Sequence, residues 1–149
     1  MANFDAFLAH NSLDKPLVKE VKKKLENFSL KQWLDEEQIY GGDTPLIEIQ
    51  KGISQSKSVV FFIGSHGTGR WQGNLELPTI VTLVIESNLR LIPVLLPGVQ
   101  TMPDDSSYLF LKTKSWINFQ SIDDAEALDK LFMSITKSKE LKIPEQPVN

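Results

Sequence analysis

Short apolar runs alternating with segments of helical spacing predict an α/β fold with a parallel sheet and helices on both faces. The length agrees, because 149 residues suit a single domain with a core of its own. Phe4 to Ala9 reads as the first buried strand. Asp14 is placed to cap the next helix, with Pro16 in its first turn. Leu17, Val18, Val21 and Leu25 mark the apolar face of that helix, and Lys19, Lys22, Lys23 and Lys24 its wet side. Leu30 to Leu34 is a second strand. Thr44 and Pro45 read as N-cap and first helical residue, with Leu46, Ile49 and Ile53 as the buried stripe. Val59 to Ile63 is the third strand, dense in β-branched and aromatic residues. Thr79 to Glu86 is expected to be helical, and Leu91 to Leu96 a fourth strand whose Pro93 predicts an interrupted or edge-like ladder. Trp116, Ile117 and Phe119 mark a short fifth strand. Ser121 with Asp124 resembles a capping box before a last helix that buries Leu128, Leu131, Phe132 and Ile135. Five strands at this length suit a flavodoxin-like sheet of order 2-1-3-4-5. Residues 1–141 are read as the domain and 142–149, with two prolines, as a tail or linker.

Composition narrows the function classes. Apolar content of 41% and charged content of 23% exclude a disordered or fibrous chain. The absence of Cys excludes a disulfide scaffold, a thiolate nucleophile, a Cys-ligated zinc and an iron–sulfur cluster. A net charge of −3 makes nucleic acid an unexpected partner. The longest unbroken apolar run, Val59 to Ile63, is far short of a membrane span. The N-terminal residues lack a basic segment of the kind that opens a signal peptide, so the expected compartment is the cytoplasm.

In a flavodoxin-like sheet, ligands bind beyond the carboxyl ends of the strands, at the switch between strands one and three. The loops 10–14 and 64–76 are expected to meet there, flanked by 35–44. The 64–76 loop is rich in Gly, which lets backbone approach a ligand closely. Trp71 either offers a face for stacking an aromatic ring or docks on the core. Glu76 supplies a carboxylate suited to a cationic transition state or to sugar hydroxyls. No Gly-Lys-Ser/Thr follows, so this is not a Walker loop. His10 is a candidate to titrate or to hydrogen-bond a ligand. Two histidines without an acidic residue at ligand spacing argue against a catalytic metal. Ser12 and His66 lack the Gly-x-Ser-x-Gly elbow of a hydrolase. The 35–43 segment is acidic and then glycine-rich. Its Ile39-Tyr40 pair is expected to be exposed as a docking knob.

Five blocks, in order from Phe4 to about Ile135, together resemble a known family. They are Phe4-Asp5-Ala6-Phe7-Leu8-Ala9-His10-Asn11-Ser12; Leu30 to Glu37 followed by Gly41-Gly42-Asp43; Ile49 to Ile53 leading into Ser58 to Ser65; Trp71 with Glu76; and Leu91 to Leu96. The chain resembles a TIR (Toll/interleukin-1 receptor) domain of bacterial type. The resemblance implies the fold derived above and an NAD+ glycohydrolase, which cleaves the nicotinamide–ribose bond to nicotinamide and ADP-ribose or a cyclic isomer. It implies Glu76 as the catalytic carboxylate and His10, Asn11, Trp33, Asp43 and Trp71 as substrate-binding residues, with Asp43 also tethering the 35–44 segment, the family's BB loop. NAD+ would be substrate, with no cofactor or metal required. Ile39 and Tyr40 would serve assembly with other TIR domains, in antiviral defence or stress signalling. The implied alternative is a non-catalytic module acting by TIR–TIR assembly. A nucleoside deoxyribosyltransferase, another flavodoxin-like enzyme with a catalytic Glu, is a third reading. Relatives commonly place the Glu four residues after the Trp; here the gap is five, with Gly73 inserted. Pro78 is costly inside a helix, so the helix is expected to begin near it, with 72–77 as an irregular lead-in.

Overall fold

The computed structural model describes residues 3–68, 70, 71 and 75–137. The Gly73 insertion and the 142–149 tail therefore lie outside the described residues. The described chain runs β1 (Ala6–His10), a 3-10 turn (Ser12–Asp14), α1 (Lys15–Glu26), β2 (Gln32–Trp33), α2 (Asp35–Gln38), α3 (Pro45–Ser54) and β3 (Ser58–Ile63). It continues through α4 (Leu77–Ser87), β4 (Arg90–Leu95), a 3-10 turn (Ser106–Tyr108), α5 (Leu109–Lys112), β5 (Ile117–Asn118) and α6 (Ala125–Thr136). The five strands form one parallel sheet in the order β2-β1-β3-β4-β5, the topology expected from the sequence.

Strand alternation builds two cores. Ala6 and Leu8 of β1, Val60 and Phe62 of β3, and Ile92 and Val94 of β4 face α1 and α6. Phe7, Ala9, Val59, Phe61, Ile63 and Leu91 face α3, α4 and α5. The period of two is what allows a central parallel strand to be buried on both sides. Pro93 pairs with Phe61 in the β3 ladder, while β5 meets β4 only at Val94 and Leu95. The residue that cannot donate to a ladder thus lies where β4 has no strand on its other side.

Several boundaries differ from expectation. Phe4 makes only an isolated bridge to Ser56, and β1 extends to His10. Segment 35–38 is helical, not loop. Leu46 and Ile47, in the first turn of α3, are exposed, so the buried stripe of that helix is Ile49, Gly52 and Ile53. Asp14 makes no cap bond to α1, because its carboxylate is used elsewhere. Asn11 caps the preceding turn instead, accepting from the Leu13 N–H at 2.9 Å. At α6 the cap is Asp124, which accepts from the Ala127 and Gln120 N–H groups. Those two backbone bonds hold its carboxyl below the ordinary Asp range.

Candidate functional site

The carboxyl ends of β1 and β3 meet as the topology requires, and the loops that leave them are sewn together. Asn11, buried at the exit of β1, donates from Nδ2 to the Gly67 carbonyl at 3.0 Å and to that of His66 at 3.4 Å. Its backbone bridges Trp71. The Ser12 N–H donates to the Arg70 carbonyl at 3.0 Å, and its hydroxyl to that of Trp71 at 3.2 Å. Arg70 in turn bridges Glu76, and the Trp71 N–H donates to the Leu75 carbonyl at 2.9 Å. The β1 exit, segment 70–71 and segment 75–76 therefore lie side by side on one rim of the sheet.

Glu76 is exposed on that rim. It is the N-cap residue of α4, in extended conformation, and its side chain makes no cap bond. Pro78 sits in the first turn of the helix, where its missing N–H costs nothing. The helix thus begins at Leu77, as the proline predicted.

The other sequence-chosen residues divide. Asn11 is at the rim but committed to the loop. Trp71 is fully buried, 5.9 Å from the Phe61 ring, so of the two readings left open for it the structure shows the docked one. Trp33 is also buried, stacked on Phe7 at 4.5 Å and pressed against Gly52, where a Cβ would lie 2.5 Å from the indole. Trp71 thus lies in the core beneath the rim that its own backbone helps to form, and Trp33 belongs to the same core further back along β1. His10 is fully buried, with Nε2 3.8 Å from Asp35 and Lys15 on the far oxygen of that carboxylate at 3.0 Å. Burial pushes the imidazole down to about 4, against the partly opposing field of Asp35.

The BB-loop residues are held by a turn. The Tyr40 N–H donates to the Asp43 carboxylate at 2.8 Å, and the Asp43 N–H to the Tyr40 carbonyl at 3.0 Å. Gly42, at φ +92°, supplies the left-handed residue that the turn needs. Tyr40 is 72% exposed. Ile39 is not exposed with it. It caps α2, donating its N–H to the Asp35 carbonyl, and packs against the Phe7–Trp33 core. The unforeseen helix α2 turns this apolar side chain inward.

One pair was missed by sequence reasoning. His66 Nδ1 and Asp14 Oδ1 lie 2.5 Å apart, linking the loops after β3 and β1. Asp14 is buried, and among the described residues its second oxygen has no hydrogen-bond partner. The buried Tyr108 hydroxyl likewise has none among the described residues, and burial, aided by Asp105 and Asp14, pushes it up to about 12. No local spacing signals a pair 52 residues apart; the only clue was the topological rule that brings these loops together. Among the described residues no three His, Asp or Glu gather as metal ligands, and no helix is long and apolar enough to cross a membrane.

Comparison with known proteins points one way. A family model described as the TIR domain matches residues 6–132. The TIR domain of a Toll-related receptor from Hydra magnipapillata superposes with a TM-score of 0.68 at 14% identity, covering 90% of this chain and 99% of that one. A TIR-STING receptor from C. gigas, solved with 2′,3′-cGAMP, gives 0.71 at 18% identity, covering 92% of this chain and 40% of the receptor. The TIR domains of the activated Roq1 resistosome give 0.54 at 21% identity, covering 91% of this chain and 82% of that one. At these identities the likeness is one of fold. No curated protein matches the sequence significantly.

Proposed function

The chain belongs to the TIR domain family, and on that premise we propose that it is an NAD+ glycohydrolase with Glu76 as its catalytic carboxylate. The observation that carries this reading is the position of Glu76, an exposed carboxylate on the rim where the β1 and β3 loops join. The chemistry suits so sparse a site. Nicotinamide leaves a cationic ring as a neutral one, so no general acid is needed. The barrier lies in forming an oxocarbenium-like ribosyl centre, which one carboxylate can stabilise while orienting ribose hydroxyls. Asn11 and the backbone at Gly64 and Gly67 would border the nucleotide, with Trp71 in the core beneath the rim and Trp33 in that same core. Asp43 would keep the BB loop in shape. No metal or bound cofactor enters this scheme, and the setting would be defence or stress signalling in the cytoplasm.

The test is nicotinamide release from NAD+ by wild type and Glu76→Gln, with product identification. Near-wild-type turnover by a folded Glu76→Gln protein would refute the assignment. A second reading, assembly with other TIR domains, is favoured by the exposed Tyr40 at the tip of an ordered turn. Activity that rises with protein concentration would join the two readings; no turnover at any concentration would leave only the second.

A further inference from the structure

The Asp14–His66 pair is more elaborate than a surface-loop histidine needs. Asp14 has a side chain only 2% exposed, while that of His66 is 47% exposed. Gly64 makes the arrangement possible: a Cβ there would lie 2.3 Å from the Asp14 carboxyl carbon and 2.4 Å from each oxygen. Asn11 fixes the backbone by holding the carbonyls of His66 and Gly67. A buried carboxylate, a glycine shaped to it and a clamped loop together fix one imidazole near the start of the loop that leaves β3, the loop that ends at Glu76.

We propose that His66 is the general base of this site, taking a proton from the water that captures the ribosyl cation, with Asp14 as the residue that positions it. The proposal rests on the NAD+-cleaving reading above. A carboxylate on Nδ1 places the ring proton there and leaves the lone pair on Nε2, at the ring's outer edge. The same division of labour, a buried acid fixing the tautomer of a working histidine, recurs on unrelated folds. The other titratable groups that feel Asp14 are unsuited to the task. His10 is buried and held near 4, too weak a base, and Tyr108 is held near 12 and keeps its proton.

The C1′–N bond breaks and both its electrons leave with nicotinamide, now neutral. The water oxygen then gives a lone pair to C1′, and one water proton passes to His66 Nε2 and on to solvent. NAD+ and water become ADP-ribose, nicotinamide and a proton.

A pyridine nucleophile has no proton to lose, so its capture of the same cation needs no base. The experiment therefore supplies NAD+ with 3-acetylpyridine and follows ADP-ribose and the exchanged dinucleotide together. His66→Gln is expected to lower ADP-ribose formation roughly 10²-fold while exchange stays within about threefold. Asp14→Asn should move the ratio the same way, and added imidazole should restore hydrolysis to His66→Ala. An unchanged ratio in folded His66→Gln, or equal loss of both products, overturns the base assignment and leaves the Glu76 reading standing. If wild type forms neither product at any protein concentration, both fail together.

Discussion

Replacing His10 with Gln should flatten the dependence of stability on pH over one defined window. His10 ends β1, fully buried, and burial lowers its folded pKa from 6.5 to about 4. Asp35 on α2 and Asp14 in the turn after β1 oppose the shift, and Lys15 on α1 adds to it. Above the unfolded value neither state binds the proton, so His10 contributes nothing to pH dependence. Between the two values the unfolded chain binds a proton that the folded chain refuses, and stability falls by about 1.4 kcal/mol per pH unit. The loss sums to about 3 kcal/mol and levels off below the folded value. Urea midpoints measured from about pH 7.5 to about pH 4.5 for wild type and His10→Gln separate this from the carboxylates, which titrate in both proteins. The difference between the two curves should slope by one proton across the window. Parallel curves would refute the argument and place His10 in contact with water or a compensating charge.

Three other outcomes are expected. Glu76→Gln should lose roughly 10²- to 10³-fold in nicotinamide release with an unchanged melting temperature, since the side chain is exposed and makes no cap bond. Tyr40→Asp should remove any rise of specific activity with protein concentration, read by turnover across a hundredfold dilution, and should stay folded because the ring lies in solvent. Ile39 is left unchanged in this test, because it is half-buried against the core. Gly64→Ala should destabilise the fold by about 1–3 kcal/mol in thermal melts, as its Cβ forces the Asp14 carboxylate away from His66.

The sheet was legible because its information is local. The run Val59 to Ile63 is apolar at every position, as a central strand covered on both faces must be, and five strand segments separated by helical spacing leave few topologies. Pro78 announced the start of α4, and hence that Glu76 precedes it, by the same local logic: a proline tolerates only the first turn. The rule for open parallel sheets then named the loops that meet. What those loops do with their side chains was not legible. Trp71 read equally as a stacking face or a docked ring, and the resemblance alone implied a substrate role for Trp33; both rings are buried, because indole area is worth more against Phe61 and Phe7 than in solvent. His10 read as a site residue until burial on both sides of the sheet withdrew it from solvent. Asp14 read as a helix cap until a histidine 52 residues away took its carboxylate. The sequence by itself determined the order of strands, the rim where they end and the place of Glu76 just before α4. Only the tertiary structure decided which polar groups on that rim face water and which face each other. Periodicity is written in neighbouring residues, whereas burial and charge pairing depend on groups that meet only once the chain has closed.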